Sequence, residues 1–196
     1  MIDLVLTLIG PDRPGLVEAV AHTVAQRGGN WLESRMINLA GQFAGILRVE
    51  VPPGQADALA RELEALGSSG LRVLAARSAR PASHAGADVI SNPVANAAST
   101  IGAGASGRVM QLELIGLDRP GLVREISQLL ARHEINVEEL SSDRTSAPMS
   151  GETLFRAQVR VKVPAHLDAA QLRASLERLA SELTVEIRLE ESVAAT

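Results

Sequence analysis

The strongest constraint on this chain is that it contains itself twice. Residues 8–17 read Leu-Ile-Gly-Pro-Asp-Arg-Pro-Gly-Leu-Val, and residues 114–123 read Leu-Ile-Gly-Leu-Asp-Arg-Pro-Gly-Leu-Val, nine of ten positions agreeing at an offset of 106. The same offset pairs Val20 with Ile126, Val24 with Leu130, Asn30 with Asn136 and Glu33 with Glu139. Further on the offset becomes 112, pairing Phe43 with Phe155, Val49 with Val161, Val51 with Val163 and Pro52 with Pro164. The change falls at Ser146-Ala147-Pro148-Met149-Ser150-Gly151, a longer turn of the kind a duplicated fold tolerates between strands. Self-similarity on this scale means one folding unit used twice.

Each half predicts the same order of elements. Leu4, Leu6 and Leu8 alternate, as do Met110, Leu112 and Leu114, which is the period of a strand with one buried face. Leu16, Val17, Val20 and Val24 follow helical spacing, matched by Leu122, Val123, Ile126 and Leu130. Pro14 and Pro120 stand just before these helices, where a missing N–H costs nothing. Gly28-Gly29 ends the first helix. A hairpin follows, 30–40 and 42–51, and its copy is 136–145 and 153–163. A second amphipathic helix carries Leu59, Leu63 and Leu66, or Leu172, Leu176, Leu179 and Leu183. Closing strands are expected at 71–75 and 184–189. The order β-α-β-β-α-β predicts an α+β fold, two ferredoxin-like units with antiparallel sheets and helices on one face. The expected boundaries are 1–78 and 108–191, with 79–107, rich in Ala, Gly, Ser and Pro, as a flexible linker.

Composition narrows the function. With two Phe, one Trp and no Tyr, the core must be aliphatic, and aromatic platforms for stacked bases are scarce. Phe43 and Phe155 read as packing residues, as does Trp31, whose counterpart is Val137. The net charge is −4 with no basic block, which argues against direct contact with nucleic acid. Absence of cysteine removes disulfides, thiolate metal sites and a Cys nucleophile. No apolar run is long enough to span a membrane, and the opening residues lack a signal-peptide pattern. A cytoplasmic protein is therefore expected.

The repeated Asp-Arg-Pro-Gly turn, between strand and helix, carries the chemistry. A helix start offers unpaired N–H groups and the positive end of a dipole, a match for a carboxylate. Asp12 or Asp118 is suited to an ammonium group, and Asn30 or Asn136 offers both donors and acceptors. The topology does not require Asn30 to meet Asp12 within one unit and leaves it free to reach a partner's turn, which would place a ligand at a domain or subunit interface. The competing reading makes Asp12 and Asp118 helix caps or turn formers, with Arg13 and Arg119 solvated or ion-paired.

This string, opening a βαββαβ unit, resembles the ACT domain, and the resemblance covers roughly 1–76 and 108–190. Two such units with little else resemble the glycine cleavage system transcriptional repressor family. The resemblance implies a regulator that senses a small ligand, an amino acid such as glycine, and passes the signal through domain pairing. Carried onto this chain, it implicates Asp12, Arg13, Pro14, Gly15 and Leu16 with Asn30. In the second half it implicates Asp118, Arg119, Pro120, Gly121 and Leu122 with Asn136. Serine-binding ACT domains of the phosphoglycerate dehydrogenase type have Asn where this chain has Asp12 and Asp118. The implied partner is a DNA-binding activator of the LysR type, met through protein contact; a homodimer is a further option left open.

Other classes fit less well. His22, His84, His133 and His166 are isolated, no metal-ligand or Ser-His-Asp pattern is present, and the Gly-rich run 102–107 lacks the Lys-Ser/Thr of a phosphate loop. No enzyme, metal or cofactor is expected. Some ACT domains are attached to enzymes such as formyltetrahydrofolate deformylase, but two units leave no room here for a catalytic domain. The serious alternative is a ligand-independent interaction module, or a regulatory subunit of an amino-acid metabolic enzyme, pairing through its sheet edges.

Overall fold

The computed structural model describes residues 1–78, 107–146 and 151–191; the stretch expected as a linker, up to residue 106, and the turn 147–150 lie outside the described residues. The first repeat contributes β1 (Ile2–Pro11), α1 (Leu16–Gln26), β2 (Asn30–Leu39), β3 (Gln42–Val51), α2 (Ala56–Ala65) and β4 (Arg72–Arg77). The second contributes β5 (Gly107–Leu117), α3 (Leu122–Arg132), β6 (Asn136–Ser146), β7 (Thr153–Pro164), α4 (Ala169–Leu183) and β8 (Val185–Glu191). The α+β, ferredoxin-like architecture expected from the repeat is therefore the observed one.

Boundaries shift by one or two residues, for local reasons. Gly107 opens β5, paired opposite Pro164. Thr184 belongs to the end of α4, not to the last strand: its φ of 55° ends the helix. Leu71 follows Gly70, whose φ is 90°, and the strand begins only after that turn.

The two repeats make one sheet of eight strands, in the order β4-β1-β3-β2-β6-β7-β5-β8, with every neighbouring pair antiparallel. The join is β2 to β6, over the register Ser34↔Ser142 to Ile37↔Glu139. Arg35 faces Ser141 in that ladder, and these two residues are equivalent under the offset of 106. A pseudo-two-fold axis therefore passes between them. It relates the pair Ser34–Ser142 to the pair Leu140–Met36.

A ladder of four residue pairs is a weak bond by itself, at about 1 kcal/mol net per hydrogen bond. The helices supply the rest. α1 and α3 pack side by side over the join. Leu16, Val17 and Val20 of α1, and Ile126 and Leu130 of α3, are all buried in a single apolar core that runs through both repeats. Each such side chain removed from water contributes roughly 1.5–3 kcal/mol. Phe43 and Phe155, equivalent in the repeat, are each 1% exposed. Trp31 is buried at 5%, in keeping with a packing role. Its indole Nε1 donates to Ser142 Oγ at 3.2 Å, and Ser142 Oγ lies 2.8 Å from Ser34 Oγ. Among the described residues, no helix is long and apolar enough to cross a membrane.

The face of the sheet away from the helices differs between the halves. In the first, Ile9, Ile37, Ile46 and Leu74 stand 42–71% exposed on adjacent strands. In the second, the corresponding face of β7 presents Arg156, Gln158, Arg160 and Lys162.

Candidate functional site

The helix-start turns are built alike. β1 ends at Pro11, and the Asp12 N–H donates to Gly41 O at 2.9 Å, fastening the turn to the β2–β3 hairpin. Its counterpart, the Asp118 N–H, donates to Thr153 O at 2.9 Å. Gly15 and Gly121 then occupy the N-cap positions of α1 and α3 with φ of 87° each. That left-handed conformation explains why glycine stands at this place in both repeats. Neither helix has a side-chain cap. Asp12 and Asp118 are thus not helix caps, and the first-turn amides of both helices have no intrahelical acceptor.

The carboxylates turn toward the other repeat instead. Asn136, the first residue of β6, donates from Nδ2 to Asp12 Oδ2 at 2.6 Å. Asn30, the first residue of β2, donates from Nδ2 to both oxygens of Asp118, at 3.2 and 3.3 Å. Asn30 does not meet Asp12, and Asn136 does not meet Asp118. The topology places each Asn at the far end of its own sheet edge, and the β2–β6 join then carries it to the opposite turn. The two clusters lie at the two ends of the packed α1–α3 pair.

Arg13 and Arg119 point outward. Arg13 donates to Ser69 O at 2.9 Å, in the 3-10 turn after α2, and Arg119 to Leu183 O at 3.1 Å, at the end of α4, so each ties its turn to the segment that leads into the last strand of its own repeat. Pro14 and Pro120 are exposed, and Leu16 and Leu122 are core residues whose backbones open the helices.

The surroundings of the two carboxylates are unlike. Asp118 Oδ2 also accepts from Arg144 Nη1 at 3.0 Å, and the same guanidinium nitrogen is 3.7 Å from Glu50 Oε1. Asp118 is 8% exposed in its side chain and Arg144 21%, making this a largely buried ion pair. At Asp12 the position of Arg144 is taken by Asn38, a neutral amide that donates to Asp12 Oδ2. The Asp12 Oδ1 and Asn136 Oδ1 atoms are buried and accept from no partner among the described residues. Opposite Asn136 in register is Lys162, where Glu50 stands opposite Asn30.

One small cavity borders the Asp12 turn and a second lies in the core of the second repeat. The first, about 10 Å³, lies among Arg13, Gly15, Leu16, Ile135 and Val137. The other, about 30 Å³, is lined mostly by apolar side chains of the second repeat, including Leu112, Val137 and Leu140, with Val17 of the first. Room for a water or two is all they offer in this closed form. Asn38, Arg144, Glu50 and Lys162 were not among the residues singled out from the sequence. They agree in neither charge nor type across the repeat, so a search for matching residues passes over them.

Two duplicated βαββαβ units joined edge to edge, with conserved-geometry turns at their interface, agree with what family comparison finds. ACT domain models match residues 3–70 and 110–181. The chain belongs to the ACT domain family. Relatives of this tandem ACT protein include the glycine cleavage system transcriptional repressor of Escherichia coli (strain K12), 26% identical over 188 residues, 93% of this chain and 86% of that protein. The protein of the same name from Shigella flexneri gives the same figures. Among solved structures, an unknown protein from Galdieria sulphuraria is 28% identical, covering 98% of this chain and 99% of that one, with a TM-score of 0.43. A formyltetrahydrofolate deformylase from Pseudomonas putida KT2440 is 21% identical over 43% of this chain and 29% of its own, with a TM-score of 0.37. Tandem ACT domains and a repressor-named relative support a regulatory, ligand-sensing role.

Proposed function

We propose that this tandem ACT protein senses an amino acid at the interface between its repeats and controls a transcriptional regulator by protein–protein contact. The observation that carries the reading is the crossing of Asn136 onto Asp12, with two buried acceptor oxygens left over beside an uncapped helix start. An ammonium group supplies the donors that those oxygens lack, and the first-turn amides of α1 suit a carboxylate. An α-amino acid has both groups on one carbon. Glycine is the first choice because of the relative's name, and serine the second.

The small volume of the cavities ties binding to motion. A ligand enters only if Asn136 and Asp12 part, so it competes with a bond that joins the two repeats. It therefore shifts the pairing of the repeats by the difference between its affinities for the two arrangements. The exposed apolar strip Ile9, Ile37, Ile46 and Leu74 supports the protein-contact half of the reading, since a patch of this kind marks an interaction surface. With net charge −4 and no run of basic residues in the sequence, the DNA-binding element is assigned to the partner, a DNA-binding activator.

The test is a thermal-shift screen of the twenty amino acids, followed by calorimetry on each hit. A ligand that binds only the native state raises the melting temperature with concentration. A saturable shift from one or two amino acids is expected. No shift at millimolar concentration from any of them refutes the sensor and leaves a ligand-independent module.

A further inference from the structure

The following rests on the reading just given, that the Asp-Arg-Pro-Gly turns receive an amino acid. The two turns match in sequence and in backbone, but three differences around them all favour the same end of the molecule.

The first is the supply of donors. Asp118 is fully engaged: Asn30 donates to both oxygens, and Arg144 adds a charge-assisted bond at 3.0 Å. A ligand ammonium arriving there must displace a guanidinium that is itself mostly buried, and leaving a buried charge without its partner is costly. At Asp12 the counterpart of Arg144 is neutral Asn38, and Asp12 Oδ1 and Asn136 Oδ1 still lack donors.

The second difference is room. One cavity lies beside the Asp12 turn, lined by Arg13, Gly15 and Val137, the residue after Asn136. At the Asp118 end the residue after Asn30 is Trp31, whose buried indole fills the equivalent space and is fixed to Ser142.

The third is the field. Glu50, with an oxygen 3.5 Å from Asn30 Nδ2, adds negative charge at the Asp118 end. The equivalent residue of the second repeat is Lys162, so no carboxylate stands at that register position at the Asp12 end to repel an incoming carboxylate.

We infer that the chain takes one amino acid, not two: it binds at the Asp12–Asn136 end, while Arg144 acts as a built-in substitute for the ligand ammonium and keeps the Asp118 end permanently self-occupied. Duplication thus yields one sensing site and one structural copy of that site in its filled state.

The experiment is calorimetric titration of the full chain with glycine, L-serine and any further amino acid from the thermal screen. Titration of the unaltered chain is expected to give one ligand per chain. Asn38→Arg, which copies the Arg144 arrangement onto Asp12, is expected to weaken binding about a hundredfold, the loss of one charge-assisted contact. Asp12→Asn, nearly identical in shape, is expected to do the same and guards against misfolding of the first variant. Arg144→Asn is expected to retain the original affinity at the Asp12 end. Two ligands per chain of the unaltered protein, or binding that survives Asp12→Asn and is lost in Arg144→Asn, overturns the one-site assignment and leaves the sensor reading intact. A complete absence of binding by the unaltered chain refutes the sensor reading and this inference with it.

Discussion

Trp31→Val is the most informative single perturbation of the fold, because the protein already contains the answer to it at the equivalent position, Val137. Trp31 is 5% exposed, so almost the whole indole is packed. Exchange for valine withdraws on the order of 100 Å² of buried apolar surface, about 2.5 kcal/mol at ~25 cal/mol per Å². Incomplete collapse of the void adds to this, for a total of about 3 kcal/mol. The lost Nε1 bond adds little, since Ser142 Oγ keeps its contact with Ser34 Oγ at 2.8 Å. For a chain of this length the change corresponds to a fall in Tm of roughly 6–12 °C.

The pseudo-two-fold axis also specifies the rescue. Trp31, Ser34 and Ser142 on one side correspond to Val137, Leu140 and Met36 on the other, one large residue over two small ones against one small residue over two large ones. The triple variant Trp31→Val, Ser34→Leu, Ser142→Met copies the second arrangement onto the first. It removes both hydroxyls of the serine pair together, so no polar group is orphaned. Its stability is expected within about 1.5 kcal/mol of the original chain, the usual cost of a volume-conserving exchange. Urea unfolding followed by circular dichroism measures all three proteins. A single variant that loses less than about 1 kcal/mol, or a triple variant less stable than the single one, refutes the claim that these three residues trade volume across the axis.

Three further outcomes follow from local geometry. Glu134 holds φ of 54° at the position where the first repeat has Gly28, at φ 67°, so Glu134→Gly is expected to stabilise the chain by about 0.5–1 kcal/mol in denaturant unfolding. Gly15→Ala, at φ 87° with nothing near its absent Cβ, is expected to destabilise it by about 1 kcal/mol through backbone strain alone, with Gly121→Ala matching it. The Arg27 guanidinium hydrogen-bonded to Glu62 holds that carboxyl below the usual carboxylate range, so the stability this pair adds is present above the ordinary carboxylate pKa and is lost as pH falls through the lowered value. The stability difference between the original chain and Glu62→Gln should accordingly shrink toward zero in unfolding curves taken at progressively more acidic pH.

How much of this was legible in the sequence depends on whether the repeat preserves a feature or varies it. The strands, both helix starts and the glycines at φ 87° recur in both copies, and comparing the copies exposes them. The topology left Asn30 free to reach the turn of a partner unit, and the structure pairs it with Asp118, and Asn136 with Asp12, inside one chain. What stayed hidden lies in the positions where the copies disagree. Asn38 against Arg144, and Glu50 against Lys162, look like ordinary surface variation in a linear alignment. Only the fold brings Asn38 and Arg144 onto the turn carboxylates and sets Glu50 and Lys162 opposite Asn30 and Asn136. The apolar strip of the first repeat was missed for a related reason: Ile37 and Ile46 lie on the strand face away from the helices, where periodicity alone assigns no neighbour.

Disagreement between the copies is also what a fused pair makes available. Two separate identical chains joined by this β2–β6 contact would have identical turns, each facing the same Asn, and any residue that closed one site would close both. In a single chain the two ends vary independently. One can carry a cation that completes Asp118, together with an indole that fills the adjoining space, and so hold the interface together in the absence of ligand. The other can then keep a carboxylate and an amide with unused oxygens without the repeats falling apart. On the proposed reading, an amino acid that parted Asn136 from Asp12 would loosen one end of the β2–β6 join while the Asp118 end kept its bonds, and the outer face of the first repeat, with Ile46 and Leu74 exposed, would lie on the half that shifts.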